Sequence, residues 1–171
     1  MLFAALAICS AVASPAAAQQ APVILVGAIV EKNYSTQPGV QLSYGSAVLL
    51  GGRPRFSAAY STTRLVTESG SNALTEDRVQ AGAGWYFRPA GRLSPYMAAN
   101  AGYARFDRED DELFELLDGG AMILSLLLGA EAKLLPSLRA NGNVGYSALQ
   151  SSTVYPLVAS FGLHYHLNRS R

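Results

Sequence analysis

From residue 21 onward the chain alternates between apolar and polar positions with a period of two. This is the mark of strands whose two faces meet different surroundings. The clearest stretch is Arg78 to Phe87. Val79, Ala81, Ala83, Trp85 and Phe87 share one face; Arg78, Gln80, Gly82, Gly84 and Tyr86 share the other. Met122 to Leu134 repeats the pattern, with Met122, Leu124, Leu126 and Leu128 against Ile123, Ser125, Leu127 and Gly129, and with Glu131 and Lys133 continuing the second face. In Leu138 to Ala148 the apolar set Leu138, Ala140, Val144 and Tyr146 opposes Arg139, Asn141, Asn143 and Gly145. In Tyr155 to Leu167 the apolar set opposes Ser160, Gly162, His164 and His166. Val40, Leu42 and Tyr44 oppose Gln41, Ser43 and Gly45. Weaker versions occupy Val23 to Lys32, Arg55 to Val66 and Tyr96 to Phe106, where Asn100 interrupts the face that carries Tyr96 and Phe106.

That makes eight strands. Many exceed the ~5–6 residues typical of soluble proteins and reach the ~9–11 that a tilted membrane strand needs. The connections alternate in length. Gly51 to Pro54, Arg88 to Ser94 and Leu135-Pro136 read as short turns, Glu68 to Glu76 and Asp107 to Gly120 as long polar loops, and Lys32 to Pro38 and Gln150 to Thr153 as intermediate ones. Short periplasmic turns alternating with longer external loops are the pattern of outer-membrane barrels. The expected fold is all-β: an eight-stranded antiparallel up-and-down transmembrane β-barrel of meander topology, its first strand running outward.

This threading sorts the side chains. Arg78, Gln80, Arg105, Glu131, Lys133, Arg139, Asn141, Asn143, His164 and His166 are expected to form a polar core inside the lumen. Glu131 and Lys133 should meet Arg139 near the periplasmic mouth, and Arg78 and Arg105 should meet Glu31 near the external one. Such charges must pair, because an unpaired buried charge costs several kcal/mol. Phe56, Trp85, Phe87, Tyr96 and Tyr165 are expected on the outward face near the periplasmic rim, and Phe106, Tyr146 and Tyr155 near the outer rim. Amphipathic rings favour both interfaces of a membrane.

Composition narrows the picture. With 171 residues the chain fits one domain. Its 13 Lys+Arg balance 12 Asp+Glu, which leaves no global field to attract nucleic acid. The start reads as an export signal, 1–18, with a short apolar run from Leu2 to Val12 and small residues Ala16-Ala17-Ala18 before the expected cleavage. The barrel domain is then 19–171. No Lys or Arg precedes the apolar run, so either the start is misplaced or a short upstream piece is missing. Cys9, the single cysteine, falls within this signal, and the large Ile8 beside it argues against a lipidation site. The rest of the chain then has no disulfide framework and no thiolate metal site.

The last segment, Ser160-Phe161-Gly162-Leu163-His164-Tyr165-His166-Leu167, is the most specific motif. With the strand pattern it makes the chain resemble the small outer-membrane barrels of the OmpA/OmpX and opacity-protein type, over nearly its whole length. The resemblance implies that Ser160, Gly162, Tyr165 and Leu167 belong to a C-terminal signal read by the barrel assembly machinery. The signal of those families ends the chain on an aromatic, whereas here Leu167 is followed by Asn168-Arg169-Ser170-Arg171.

The candidate chemistry is sparse. His164 and His166 could serve a lipid-modifying enzyme only with a nucleophile in reach and a third group to orient them. They are expected at the periplasmic end and on the lumen face, away from such a substrate. Two alternating histidines lack an evident third metal ligand. No catalytic residue, metal site or cofactor is assigned. The loop Asp107-Arg108-Glu109-Asp110-Asp111-Glu112-Leu113-Phe114-Glu115-Leu116-Leu117-Asp118 carries seven acids, counting Asp107, Glu109, Asp110, Asp111, Glu112, Glu115 and Asp118. It reads as a solvated external loop, or as a contact for lipopolysaccharide through cations or for an external protein partner. Arg53, Arg55, Arg88, Arg92, Arg169 and Arg171 read as a basic periplasmic rim facing headgroups.

The expected function is that of a non-enzymatic outer-membrane protein with a structural or interaction role. Its expected partners are membrane lipid, lipopolysaccharide and the assembly machinery, with no nucleic acid. The alternatives are a narrow channel or small-solute or lipid-binding barrel, and, after it, a lipid-modifying enzyme. A soluble lipocalin-like barrel would need the inverse facing, apolar inside and polar outside.

Overall fold

The computed structural model describes residues 22–32, 36–66, 72–108, 119–149 and 157–167. They form eight strands: β1 Val23–Lys32, β2 Thr36–Gly45, β3 Gly52–Val66, β4 Asn72–Phe87, β5 Leu93–Arg108, β6 Gly120–Leu135, β7 Leu138–Leu149 and β8 Leu157–His166. Each pairs antiparallel with its sequence neighbour, and β8 returns to β1, from Leu25 opposite His166 to Lys32 opposite Ala159. The sheet is therefore a closed barrel in meander order. Closure satisfies the backbone of every strand with its neighbours and leaves no sheet edge to pair with another chain.

The expected export segment 1–18, Tyr155, and Glu109, Asp110, Asp111, Glu112, Glu115 and Asp118 of the acidic loop lie outside the described residues. Asp107 belongs to β5 and is exposed.

Strands β2 to β6 all begin earlier than the alternation predicts, and two of these extensions bring in polar lumen residues of the loop end. β4 starts at Asn72, which brings Leu74 and Glu76 into the sheet from a segment read as loop; β2 starts at Thr36 and brings in Gln37. Both residues are held by register, Thr63 opposite Glu76 and Glu31 opposite Gln37. Polar side chains at a strand's end look like loop in a sequence, yet here they point into a lumen.

The barrel has a turn end, where β2–β3, β4–β5 and β6–β7 connect, and a loop end. The β2–β3 connection closes on a two-residue turn. Leu49 and Gly52 exchange backbone hydrogen bonds of 2.7 and 2.9 Å around Leu50 (φ 48°) and Gly51 (φ 75°). Two central residues at positive φ make a type I′ turn, whose twist suits antiparallel strands. Gly51 takes that conformation without strain.

Candidate functional site: a filled lumen inside an apolar belt

Alternation along each strand sends one set of side chains inward and the other outward. The outward set is a continuous apolar surface. It includes Val26, Val40, Leu42, Val79, Met97, Leu124, Leu126, Leu128, Val144, Phe161 and Leu163, all exposed, Leu126 at 68%. On β5 the belt runs from Leu93 to Tyr103, roughly 34 Å along the strand at ~3.4 Å per residue. At the ~35–45° tilt of such barrels this is about 25 Å of height, the thickness of an outer-membrane apolar band. Beyond it, toward the loop end, the same face turns polar with Thr62, Arg64, Asp77, Arg105 and Asp107. Tyr60 sits at this border and donates a 2.7 Å hydrogen bond to Asp77. This facing is the inverse of a soluble carrier barrel.

The lumen is filled by two clusters. At the turn end Glu131, 1% exposed, accepts from two arginines: Arg55 at 2.5 and 3.1 Å and Arg139 at 2.6 Å. The fork of Arg55 meets the carboxylate bidentately, the geometry that best offsets the desolvation of a buried pair. The guanidinium of Arg55 also lies 3.7 Å from the centroid of the Tyr86 ring, and Tyr86 stacks on Tyr96 with centroids 4.5 Å apart. Asn143 donates to the Tyr96 hydroxyl at 2.9 Å. Carboxylate, guanidinium, two rings and an amide thus form one ladder across β6, β3, β4, β5 and β7. At the loop end Arg78 is bonded to Glu76 and lies 3.8 Å from Glu31; Gln37 donates to Glu76 at 2.7 Å and Gln80 to Glu31 at 3.4 Å. Beside this group sits an apolar cluster of Leu74, Ala104, Phe106, Ala121 and Ile123. Between the two clusters remains a cavity of about 40 Å³, lined by Arg55, Gln80, Tyr96, Asn100, Asn141 and Ser160 among others. It has room for a few waters and no more.

Of the expected lumen residues, Arg78, Gln80, Glu131, Asn141 and His164 are buried, and Arg139, Asn143 and His166 half-buried. His164 is packed against Gly27, where a Cβ would collide with the imidazole. Neither of its ring nitrogens has a hydrogen-bond partner among the described residues. Ser160 is half-buried and Gly162 buried, while Tyr165 and Leu167 are exposed. Phe56, Phe87, Tyr146 and Tyr165 are exposed and Trp85 is half-buried, all on the outward face.

Several expectations are corrected. β5 faces the opposite way: Tyr96 (4% exposed) and Phe106 (6%) point inward, and Arg105 points outward. A shift of one residue moves a whole strand's side chains between faces. Arg105 is tolerated outside because β5 has by then passed the belt. Lys133 is exposed at the rim, where the pairing of β6 and β7 shifts between Lys133 and Leu135. Arg53 and Arg55, read as rim residues, are buried in the lumen. Sequence reasoning missed Glu76 and Leu74; it placed Tyr86 and Ile123 on the inner face but gave neither a part in the core. It placed Tyr44 on the outer face but left Tyr44, Tyr60 and Tyr103, whose exposed rings lie on the belt, out of the aromatic girdle.

No protein-family model and no curated protein matches the chain. Solved structures do. Ail, the attachment invasion locus protein of Yersinia pestis, is 18% identical, with a TM-score of 0.55 over 85% of this chain and 95% of that one. The N-terminal β-barrel domain of Pseudomonas aeruginosa OprF is 12% identical, with a TM-score of 0.56 over 85% and 97%. A de novo designed transmembrane β-barrel is 16% identical, with a TM-score of 0.50 over 87% and 98%. The chain has the fold of the small eight-stranded transmembrane β-barrels.

Proposed function

We propose that this chain is an integral outer-membrane protein without catalytic activity, closed to bulk ion flow, which acts at the envelope through its loop end. The observation that carries the reading is an unbroken apolar belt around a barrel whose lumen is filled from both ends. In this reading 1–18 directs export and β8 is recognised by the assembly machinery. The turns then face the periplasm, and the acidic loop meets lipopolysaccharide or an external protein. The fold likeness to Ail, a protein named for attachment and invasion, is consistent with a role in contact. The enclosed position of His164, against Gly27 and away from the lipid face, supports a packing role over a catalytic one.

Planar-bilayer recording of the purified protein tests the closed lumen. No steady conductance is expected, and ohmic current steps would overturn it. Mass spectrometry of lipid A from cells with and without the protein tests the absence of acyl chemistry. An altered acylation pattern would dispose of it.

A further inference from the structure

Of the chain's 12 acids, Glu131 alone falls within the turn-end stretches 42–57, 83–98, 128–141 and 162–167. The same stretches carry Arg53, Arg55, Arg88, Arg92, Lys133 and Arg139. Glu131 is buried and already held by Arg55 and Arg139. Arg92 and Lys133 therefore have no carboxylate partner among the described residues. Strand register sets three of these cations in a row. Alternation places Lys133 on the same side of β6 as the buried Ser125 and Glu131. Arg139 lies directly opposite it on β7, on the side of the buried Asn141. At its other edge the Lys133 amide donates to the Arg92 carbonyl at 2.8 Å, and Arg92 lies two positions before the buried Ser94. All three thus stand on the lumen side of the turn-end rim, successive neighbours about 5 Å apart at Cα. The row descends from solvent into the lumen: Arg92 and Lys133 are exposed, and Arg139 is half-buried on Glu131.

Like charges directly opposite each other weaken a sheet. Here two such pairs adjoin, and an anion seated on them relieves the repulsion. A mouth lined by charge of one sign above a low-dielectric floor also concentrates counter-ions. The floor here includes the stacked rings of Tyr86 and Tyr96. Arg53, buried on the inward side of β3, adds its charge from within the lumen. We propose that the turn-end mouth of the lumen binds a multiply charged oxyanion of the phosphate class, with Arg92 and Lys133 as its main contacts and Arg139 behind them. Guanidinium offers such an oxyanion a fork of N–H donors, and ammonium a compact charge. A single negative charge leaves the row cationic; two or more neutralise it. Because the row stands on the lumen side and not on the belt, the anion comes from the solution that the turns face, not from a lipid headgroup. The inference rests on the facing of the strands and goes beyond the loop-end role proposed above, so either can fail without the other.

Isothermal titration calorimetry of the full chain in non-ionic detergent, where both ends meet solvent, tests the site with inorganic pyrophosphate as the probe and chloride as the background salt. Saturable binding is expected. The double variant Arg92→Gln, Lys133→Gln should weaken it about tenfold, the effect of losing two exposed charge contacts. Both residues lie outside the Glu131 pairing, so this variant keeps its fold. A second double variant, Arg64→Gln with Arg105→Gln, removes two exposed cations from the outward face at the loop end and should leave binding unchanged. The absence of saturable binding would overturn the site. So would binding that survives the loss of Arg92 and Lys133, or that falls as far in the loop-end variant.

Discussion

The two ends of the lumen are closed by different chemistry. At the turn end one carboxylate, Glu131, holds two guanidiniums, and the rings of Tyr86 and Tyr96 extend the assembly. At the loop end Arg78 lies between Glu76 and Glu31, and an apolar cluster around Phe106 fills the space beside them. The turn end depends on one acid, so a single change strips a buried and a half-buried guanidinium of their partner. The loop end divides its filling between polar and apolar groups, so a single change there removes packing or pairing but not both.

The largest expected effect tests that dependence. Glu131→Gln removes the charge opposite Arg55 and Arg139 and should destabilise by about 3–5 kcal/mol, the loss typical of a broken buried pair. Urea unfolding in lipid vesicles measures it, and a loss below about 1 kcal/mol would mean that the arginines find other partners. At the loop end Phe106→Ala should cost about 3 kcal/mol through the cavity it leaves. Its neighbour Arg105→Ala, outside the belt, should stay within about 0.5 kcal/mol. The reverse ranking would restore the opposite facing of β5. On the outer face Leu126→Arg should destabilise by about 2–4 kcal/mol if that residue lies near the bilayer midplane. A variant that inserts and unfolds like the parent would remove Leu126 from the belt. The smallest effect sharpens the ladder: Tyr96→Phe keeps the stack on Tyr86 but loses the hydrogen bond from Asn143, and should cost about 1 kcal/mol. No change would mean that the hydroxyl is hydrated in both forms.

The strand count and order were legible throughout, and the facing was clearest where the two faces differ most in polarity. Leu124, Leu126 and Leu128 against Ser125 and Glu131 leave one solution. β5 was misread because its faces are nearly matched. One carries Met97, Ala99, Tyr103 and Arg105, the other Tyr96, Asn100, Ala104 and Phe106. Position along the strand held the answer: Asn100 falls at mid-belt, where a polar group facing lipid is costly, and Arg105 falls beyond the belt, where a charge is tolerated. The pairing of Arg55 with Glu131 was illegible for another reason. The two are 76 positions apart on strands that do not pair, and only closure of the barrel sets them across the lumen from each other.

A nitroxide scan of β5, the strand whose two faces differ least, tests the apolar-out facing most directly. In a Cys9→Ser background, single cysteines from position 96 to 103 are labelled and the protein is inserted into bilayers. Accessibility to oxygen, which concentrates in lipid, is then read at each site. The account predicts high accessibility at 97, 99, 101 and 103 and low accessibility at 96, 98, 100 and 102. A reversed alternation, or none, would contradict an apolar-out barrel with a filled lumen.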